Sequence, residues 1–82
     1  MNSIEDINKI LANNDVSDYS HIYNKLKKII CEHYINDQIK IFNIFRDIYL
    51  KTDVSDWKYG LIYDLLDFIS GYTVDSPFRE MS

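Results

Sequence analysis

Few side chains in this sequence could bind a metal ion or act as a nucleophile, and their spacing suits neither role. The imidazole and thiol groups belong to His21, Cys31 and His33. On one predicted helix they point in three directions, whereas a helical metal site needs ligands three or four residues apart. We therefore predict no metal site. His33 falls within an apolar helix face and is interpreted as a core histidine, and Cys31 as a free thiol without a catalytic role.

Paired carboxylates are the remaining candidates for catalysis. Asp64 and Asp67 are three residues apart on one predicted helix and would lie on its outer, solvated face. A carboxylate becomes a useful acid or base through burial or a close, desolvated partner, and the pattern indicates neither. Gly60 and Gly71 are isolated, so no glycine-rich phosphate loop is present. The sequence therefore predicts no enzyme activity, no catalytic residue and no cofactor.

The outer face of the same helix is instead predicted to bind a partner. Tyr59, Tyr63 and Asp67 follow one another at intervals of four residues, flanked by Gly60 and Asp64. Tyrosine is enriched at protein interfaces, because it offers rigid apolar area with a polar end. A glycine inside a helix costs about 1 kcal/mol relative to alanine, which close approach of a partner or of another helix would explain. The alternative interpretation is that the tyrosines simply cover neighbouring side chains.

The net charge of −4 is confined to the last third of the chain. Residues 1–52 contain seven basic and seven acidic side chains, whereas residues 53–82 contain two basic side chains and six acidic ones. Nucleic-acid binding is disfavoured, because phosphate contacts need clustered lysine and arginine. The one basic cluster is short and is interpreted as a solvated helix face: Lys25, Lys27 and Lys28.

Length and composition favour one small domain in the cytoplasm. A chain of 82 residues can fill a single hydrophobic core, and an apolar fraction of 46% is ordinary for a globular protein. Two glycines and one proline leave little material for the turns of an all-β fold. One cysteine cannot form an internal disulfide, and no apolar run approaches the roughly 20 residues that span a bilayer. We expect neither a secretory leader nor contact with a membrane.

Apolar residues recur at helical spacing in four segments, which predicts helices at about residues 3–13, 18–35, 37–51 and 55–70. Ser3 with Asp6 resembles a capping box, and Asp37 is placed to cap the third helix. Asp53 or Ser55 would cap the fourth helix, and Gly71 would end it in the left-handed conformation. The stretch Asp-Val-Ser-Asp-Tyr that ends at position 19 is echoed by Asp-Val-Ser-Asp-Trp, which we interpret as shared helix-start chemistry.

These segments predict an all-α fold, a compact antiparallel bundle of about four helices formed by residues 1–82. The third helix is apolar around most of its girth and is predicted to be the most buried. Residues 72–82 would form a C-terminal tail that packs in part through Tyr72 and Phe78. The predicted core joins residues of the last two helices: Trp57, Leu61, Leu65 and Phe68 with Phe42, Phe45 and Ile48.

One local pattern resembles a known family. The run Gly-Leu-Ile-Tyr-Asp at residues 60–64, followed by Asp-Ser-Pro at residues 75–77, is similar to the Asp-Leu-Ile-Tyr-Tyr-Pro helix and later Asp-Ser-Pro of nuclease-colicin immunity proteins. An acidic, aromatic helix face also resembles immunity proteins of contact-dependent inhibition. In the colicin family that helix is short and ended by proline, whereas here the apolar pattern continues through Ile69.

The resemblance implies a bacterial protein that binds a basic toxin nuclease domain and blocks it. By position, it assigns partner binding to Tyr63 and Asp64. The helix-face argument adds Tyr59 and Asp67. The adjoining tail adds Tyr72 and Asp75.

Two other functions remain open at this point. A small helical adaptor, or a phage- or plasmid-encoded regulator, would bind a host protein instead of a toxin. A bacteriocin immunity protein that guards a membrane receptor is a further four-helix possibility, but acidic charge disfavours association with an anionic membrane. The sequence does not indicate the oligomeric state.

Overall fold

The fold was obtained as a computed structural model, which describes residues 3–12 and 16–78. Within those ranges the chain forms four α-helices and no strand: α1 (Ser3–Ala12), α2 (Tyr19–His33), α3 (Gln38–Lys51) and α4 (Trp57–Ser70). A single 3₁₀ turn, Val16–Asp18, leads into α2. The most extensive helix contact joins α3 to α4, while α2 contacts both α1 and α4. The prediction of a small all-α bundle is confirmed.

Helix α4 starts two residues later than predicted. The reason is that Asp53 forms the preceding turn and Asp56 forms the helix cap. Asp53 Oδ1 accepts hydrogen bonds from the backbone N–H and the hydroxyl of Ser55, both at 2.9 Å. Asp56 is the N-cap residue, and its side chain accepts a hydrogen bond of 3.0 Å from the backbone N–H of Lys58. The prediction that Asp53 or Ser55 caps α4 is therefore wrong, since both belong to the preceding turn.

The other predicted helix ends agree with the structure in some cases and not in others. Gly71 ends α4 with φ of 87°, the left-handed conformation expected of it. Asp37 stands at the N-cap position of α3, but its side chain accepts no capping hydrogen bond there. Helix α2 ends at His33, two residues before the predicted end, and Tyr34 is its C-cap residue. Residue 13 and the side chain of Ser3 lie outside the described part of the chain.

The core is built mainly around α4 and not around α3 as predicted. Five residues of α4 are buried, compared with two of α3. More of α4 is buried because α4 lies between α2 and α3 and contacts both, whereas α3 packs chiefly on α4. The side of α3 that faces away is open, and Ile39 and Leu50 are 79% and 68% exposed. The buried apolar cluster consists of Ile7, Leu11, Ile22, Leu26, Ile30, Tyr34, Ile41, Phe45, Leu61, Ile62, Leu65, Phe68, Ile69 and Phe78.

The predicted core residues are therefore only partly confirmed. Four of them are fully buried: Leu61, Leu65, Phe68 and Phe45. Three others are half-buried and pack against the edge of the cluster: Trp57, Phe42 and Ile48. The interpretation of His33 as a core histidine is wrong, because His33 is exposed. The helix ends there, and the inward position is taken by Tyr34, which is buried.

The two similar sequence stretches end at the starts of two helices that meet in space. Tyr19 is the first residue of α2 and Trp57 is the first residue of α4. Their rings lie 6.5 Å apart between centroids, at an interplanar angle of 56°. Lys58 places its Nζ atom 5.9 Å from the centroid of the Trp57 ring. Both stretches lead into helix starts, but the capping chemistry is not shared, because the Asp56 side chain caps α4 whereas Asp18, the N-cap residue of α2, accepts no capping hydrogen bond.

The segment after α4 is anchored by one aromatic side chain. Phe78 is fully buried and meets Phe68 edge-on, with ring centroids 6.4 Å apart and an interplanar angle of 87°. The Ser76 hydroxyl donates a hydrogen bond to the carbonyl oxygen of Phe68 and accepts one of 3.1 Å from the Phe78 N–H. Tyr72 is 80% exposed, so the predicted packing of this segment holds for Phe78 and fails for Tyr72. Residues 79–82 lie outside the described ranges.

Candidate partner-binding surface

The structure separates the six predicted partner-binding residues into different surroundings. Tyr59 is turned toward α3, and Tyr63 and Asp67 lie along the outside of α4. Asp64 and Asp75 are bonded to side chains of α2, and Tyr72 extends from the segment beyond α4. We call the outside of α4 from Gly60 to Asp67 the outer α4 surface. It includes part of the predicted set.

Tyr59 packs against α3 within the domain. Its ring stacks on that of Tyr49 in α3, with centroids 4.5 Å apart, and the two hydroxyls share a hydrogen bond. That hydrogen bond is the largest cause of a raised pKa at Tyr49. Tyr63 lies 6.2 Å from the Tyr49 ring yet remains 53% exposed. The placement of Tyr59 on the outer face is therefore wrong, while Tyr63 is available to a partner.

Asp64 is hydrogen-bonded to a neutral hydroxyl and not to a cation. The Tyr19 hydroxyl donates to Asp64 Oδ2 from the start of α2. Burial raises the pKa of Tyr19, and the hydrogen bond and charge of Asp64 raise it further. Tyr19 therefore stays protonated and acts as a neutral donor. A neutral donor satisfies one oxygen of the carboxylate without cancelling its charge.

Asp75, in contrast, is compensated by a cation. Lys27 of α2 forms an ion pair with Asp75, and the hydrogen bond between them is the largest cause both of the raised pKa of Lys27 and of the lowered pKa of Asp75. Lys27 Nζ also lies 5.0 Å from the ring centroid of Tyr23 and 5.3 Å from that of Phe68. The lysine side chain is 22% exposed. Lys27 therefore does not belong to a solvated basic face, and that interpretation is corrected for this residue.

Asp67 has no cationic neighbour of this kind. It is half-buried, and no ion pair joins it to any other residue in the described ranges. Burial raises the pKa of Tyr23 most, and the charges of Asp75, Asp64 and Asp67 raise it in addition. The three carboxylates thus act on one tyrosine of α2. Of the three, Asp64 and Asp67 carry charge that no lysine or arginine side chain balances by an ion pair in the described part of the protein.

The two remaining aspartates of α4 and its approach have structural roles. Hydrogen bonds from Ser55 lower the pKa of Asp53, so this carboxylate holds the turn. Asp56 caps the first turn of α4, where a negative charge is favoured by the helix dipole. Both sit at the N-terminal end of α4. Among the aspartates of α4 and its flanking segments, Asp64 and Asp67 are therefore the two that neither hold a turn, cap the helix nor pair with a lysine.

Gly60 gives the outer α4 surface an uncovered stretch of backbone. A Cβ atom built at this position would meet no heavy atom within 4 Å. Close packing against another helix of the domain therefore does not explain the glycine, and that alternative is wrong. Along the helix, Gly60 lies one turn before Tyr63 and Asp64, which are drawn toward α3 and α2 respectively. The helix backbone between them is open to a partner.

No group of three or more His, Cys, Asp or Glu side chains in the described residues is arranged to hold a metal ion. Cys31 is exposed, and desolvation is the largest cause of its raised pKa, which disfavours the reactive thiolate. None of the described helices has the length and apolar character needed to cross a bilayer.

Comparison with known protein families, curated proteins and solved structures gives no match for this chain. Sequence reasoning missed the side chains that reorganise the candidate surface: Tyr19, Lys27 and Tyr49. Tyr19 and Tyr49 follow the apolar spacing of α2 and α3, and the available signal was that a tyrosine hydroxyl at a packed position usually finds a polar partner, here in α4.

Proposed function

We propose that the protein binds and neutralises a basic bacterial toxin domain of the nuclease type, and that it does so in the cytoplasm. The contact is made by the outer α4 surface, with Tyr72 and Asp75 of the following segment at its edge. The observation that carries the proposal is the pair Asp64 and Asp67 beside the exposed ring of Tyr63. The pair presents unbalanced negative charge next to an aromatic anchor.

Charge selects the partner in this proposal. A partner with lysine or arginine at the contact would supply the cations that Asp64 and Asp67 lack in the free protein. Complementary charges of this kind increase the association rate and discourage unsuitable partners. Asp75 contributes less, because Lys27 already balances it. A nuclease domain fits this requirement, since binding to phosphates calls for a basic surface.

Shape supports the same surface. Tyr63 offers a ring that is 53% exposed, and Tyr72 offers one that is 80% exposed. Tyrosine is among the residues most enriched at the energetic centres of interfaces. Gly60, which has no neighbour where its Cβ would be, lets a partner approach the helix backbone. The resemblance to nuclease-colicin immunity proteins assigns partner binding to Tyr63 and Asp64 and so supports part of the same surface.

The test is a calorimetric titration against the product of the gene immediately upstream, at low and at high salt. We expect Tyr63→Ala and Asp67→Ala each to weaken binding by about 2 kcal/mol or more, roughly thirtyfold in Kd. Asp47→Ala is the matched control, because it removes an equal charge from an exposed position of α3. Affinity should change little in that variant.

Two results would count against the proposal. Unchanged affinity in both α4 variants would exclude the outer α4 surface. Absence of any binding to the upstream product would favour the alternative of an adaptor or regulator that acts on a host protein.

A further inference from the structure

A second surface with the opposite charge lies between α1 and α2. It is a shallow groove of about 320 Å³, lined by Asp6, Lys9, Ile10, Lys25, Lys28 and Ile29. The groove exists because α1 packs on α2 and leaves one side of that contact open. Its apolar part comes from Ile10 and Ile29, which are half-buried and pack on the core cluster. Its edge is formed by charged side chains.

The charge of this groove is positive. Three exposed lysines stand against a single aspartate among the lining residues. Lys28 also lies 3.9 Å from Glu32 one turn along α2, but both side chains are more than half exposed, so the pair is weak. The basic character of the groove is therefore only partly offset.

The groove is separate from the outer α4 surface. Lys25 and Lys27 are two residues apart on α2, which places them about 200° apart around the helix axis. Lys27 points to Asp75 beyond α4, and Lys25 lines the groove beside α1. The protein thus presents surfaces of opposite charge on two sides of α2.

We propose that this groove binds an acidic amphipathic helix of a second protein partner. The partner helix would lay its apolar face on Ile10 and Ile29 and direct its carboxylates to the three lysines. Helix-in-groove recognition of this kind uses an apolar stripe for affinity and charged edges for specificity. The proposal does not rest on the toxin-binding role of α4. Two surfaces of opposite charge would allow the protein to bind two unlike partners.

Two other occupants fit the groove less well. A symmetric dimer through this face would bring the lysines of one copy against those of the other, because a two-fold interface pairs the same patch with itself. An anionic bilayer would meet the exposed lysines before the half-buried Ile10 and Ile29, so the apolar part of the groove would contribute little to lipid binding. An acidic helix satisfies both the apolar floor and the basic edge.

The experiment is a titration of the isotope-labelled full chain, followed by amide chemical shifts. The probe is a synthetic helical peptide with leucines on one face and glutamates elsewhere, compared with the same peptide carrying lysines in place of the glutamates. We expect saturable shifts in the groove residues of α1 and α2 with the glutamate peptide, and none there with the lysine peptide. Lys25→Glu combined with Lys28→Glu should weaken binding at least about tenfold. Lys40→Glu, an exposed position on α3, should leave affinity unchanged.

Three outcomes would overturn the inference. They are the absence of saturable shifts in the groove, equal shifts with both peptides, and equal losses in the Lys40→Glu control. A separate binding measurement uses vesicles that contain phosphatidylserine. Binding to these vesicles that disappears in the double variant, without binding to the glutamate peptide, would assign the groove to lipid instead.

Discussion

The Tyr59 ring lies against the Tyr49 ring with 4.5 Å between centroids, and their hydroxyls are hydrogen-bonded to each other. This contact joins the outer edge of α4 to α3, the pair of helices with the most extensive packing. It removes Tyr59 from the free surface and leaves Tyr63, one turn later, as the exposed aromatic of α4. The two tyrosines therefore have different roles although they are only one turn apart on the helix.

A pair of alanine variants should separate those roles. Tyr59→Ala should lower the free energy of unfolding by about 1–3 kcal/mol, because it removes a stacked ring and a hydrogen bond between helices. Tyr63→Ala should lower it by less than about 1 kcal/mol, since more than half of that side chain is exposed. Urea denaturation followed by circular dichroism measures both. Equal losses in the two variants would contradict the division of roles.

Gly60→Ala should stabilise the free protein by about 1 kcal/mol, the usual difference between the two residues inside a helix. The new methyl group has open space around it, so no clash offsets the gain. If a partner lies against this backbone, the same variant binds it more weakly. Thermal denaturation and titration of one variant therefore test the fold and the surface together. A loss of stability would show that the helix backbone is not free at this position.

Phe78→Ala should destabilise the protein by about 3–5 kcal/mol, the usual loss for a fully buried phenylalanine. The physical cause is the cavity left beside Phe68, which packs edge-on against it. Tyr72→Ala is the matched control, an aromatic of the same segment that is 80% exposed, and it should change stability by less than about 0.5 kcal/mol. Chemical denaturation of the two variants measures the difference. A small effect of Phe78→Ala would mean that the segment after α4 is not anchored.

The ion pair between Lys27 and Asp75 predicts a pH dependence. The folded-state pKa of Asp75 is lowered, chiefly by the hydrogen bond from Lys27, so its contribution to stability is present above the ordinary carboxyl pKa near 3.9 and is lost as the pH falls through the folded value. The pKa of Lys27 is raised, so its contribution is lost only at alkaline pH, as the pH rises through the folded value.

We therefore expect Asp75→Asn to be less stable than the wild type at about pH 7, by at most about 1 kcal/mol because the Asp75 side chain is 56% exposed. The difference should shrink as the pH falls well below 3.9, where both proteins lack the charge. Denaturation midpoints across this pH range measure it. Asp47→Asn is a control for general charge effects, and a difference for Asp75→Asn that persisted at acid pH would contradict the assignment to the ion pair.

The features that could be predicted from the sequence are those set by a single helix. Apolar spacing located four helices, and Gly71 indicated where α4 ends. Leu61, Leu65 and Phe68 were placed correctly in the core, since they recur at helical spacing on the side of α4 away from Tyr63 and Asp67. Helix α3 has apolar residues around most of its surface, so its own pattern could not show which side packs on α4.

The rest of the candidate surface depends on which helices meet. Tyr59 appeared to be outward on α4, and only the approach of Tyr49 from α3 shows that it is not. Asp75 is distant in sequence from Lys27, and no periodicity predicts their pairing. His33 was assigned by extending the face of α2 into a residue where the helix ends. Cross-helix pairs such as these are set by packing geometry, which a one-dimensional pattern does not contain.

Trp57 is the single tryptophan of the chain, and its half-buried ring rests beside Tyr19 at the point where α4 starts near the start of α2. Its fluorescence therefore reports on the contact between these two helix ends without any added label. Unfolding will expose the indole to water and shift its emission to longer wavelength. The ring also lies within one helical turn of Gly60. A ligand that binds to the outside of α4 will therefore change the fluorescence emission of this tryptophan.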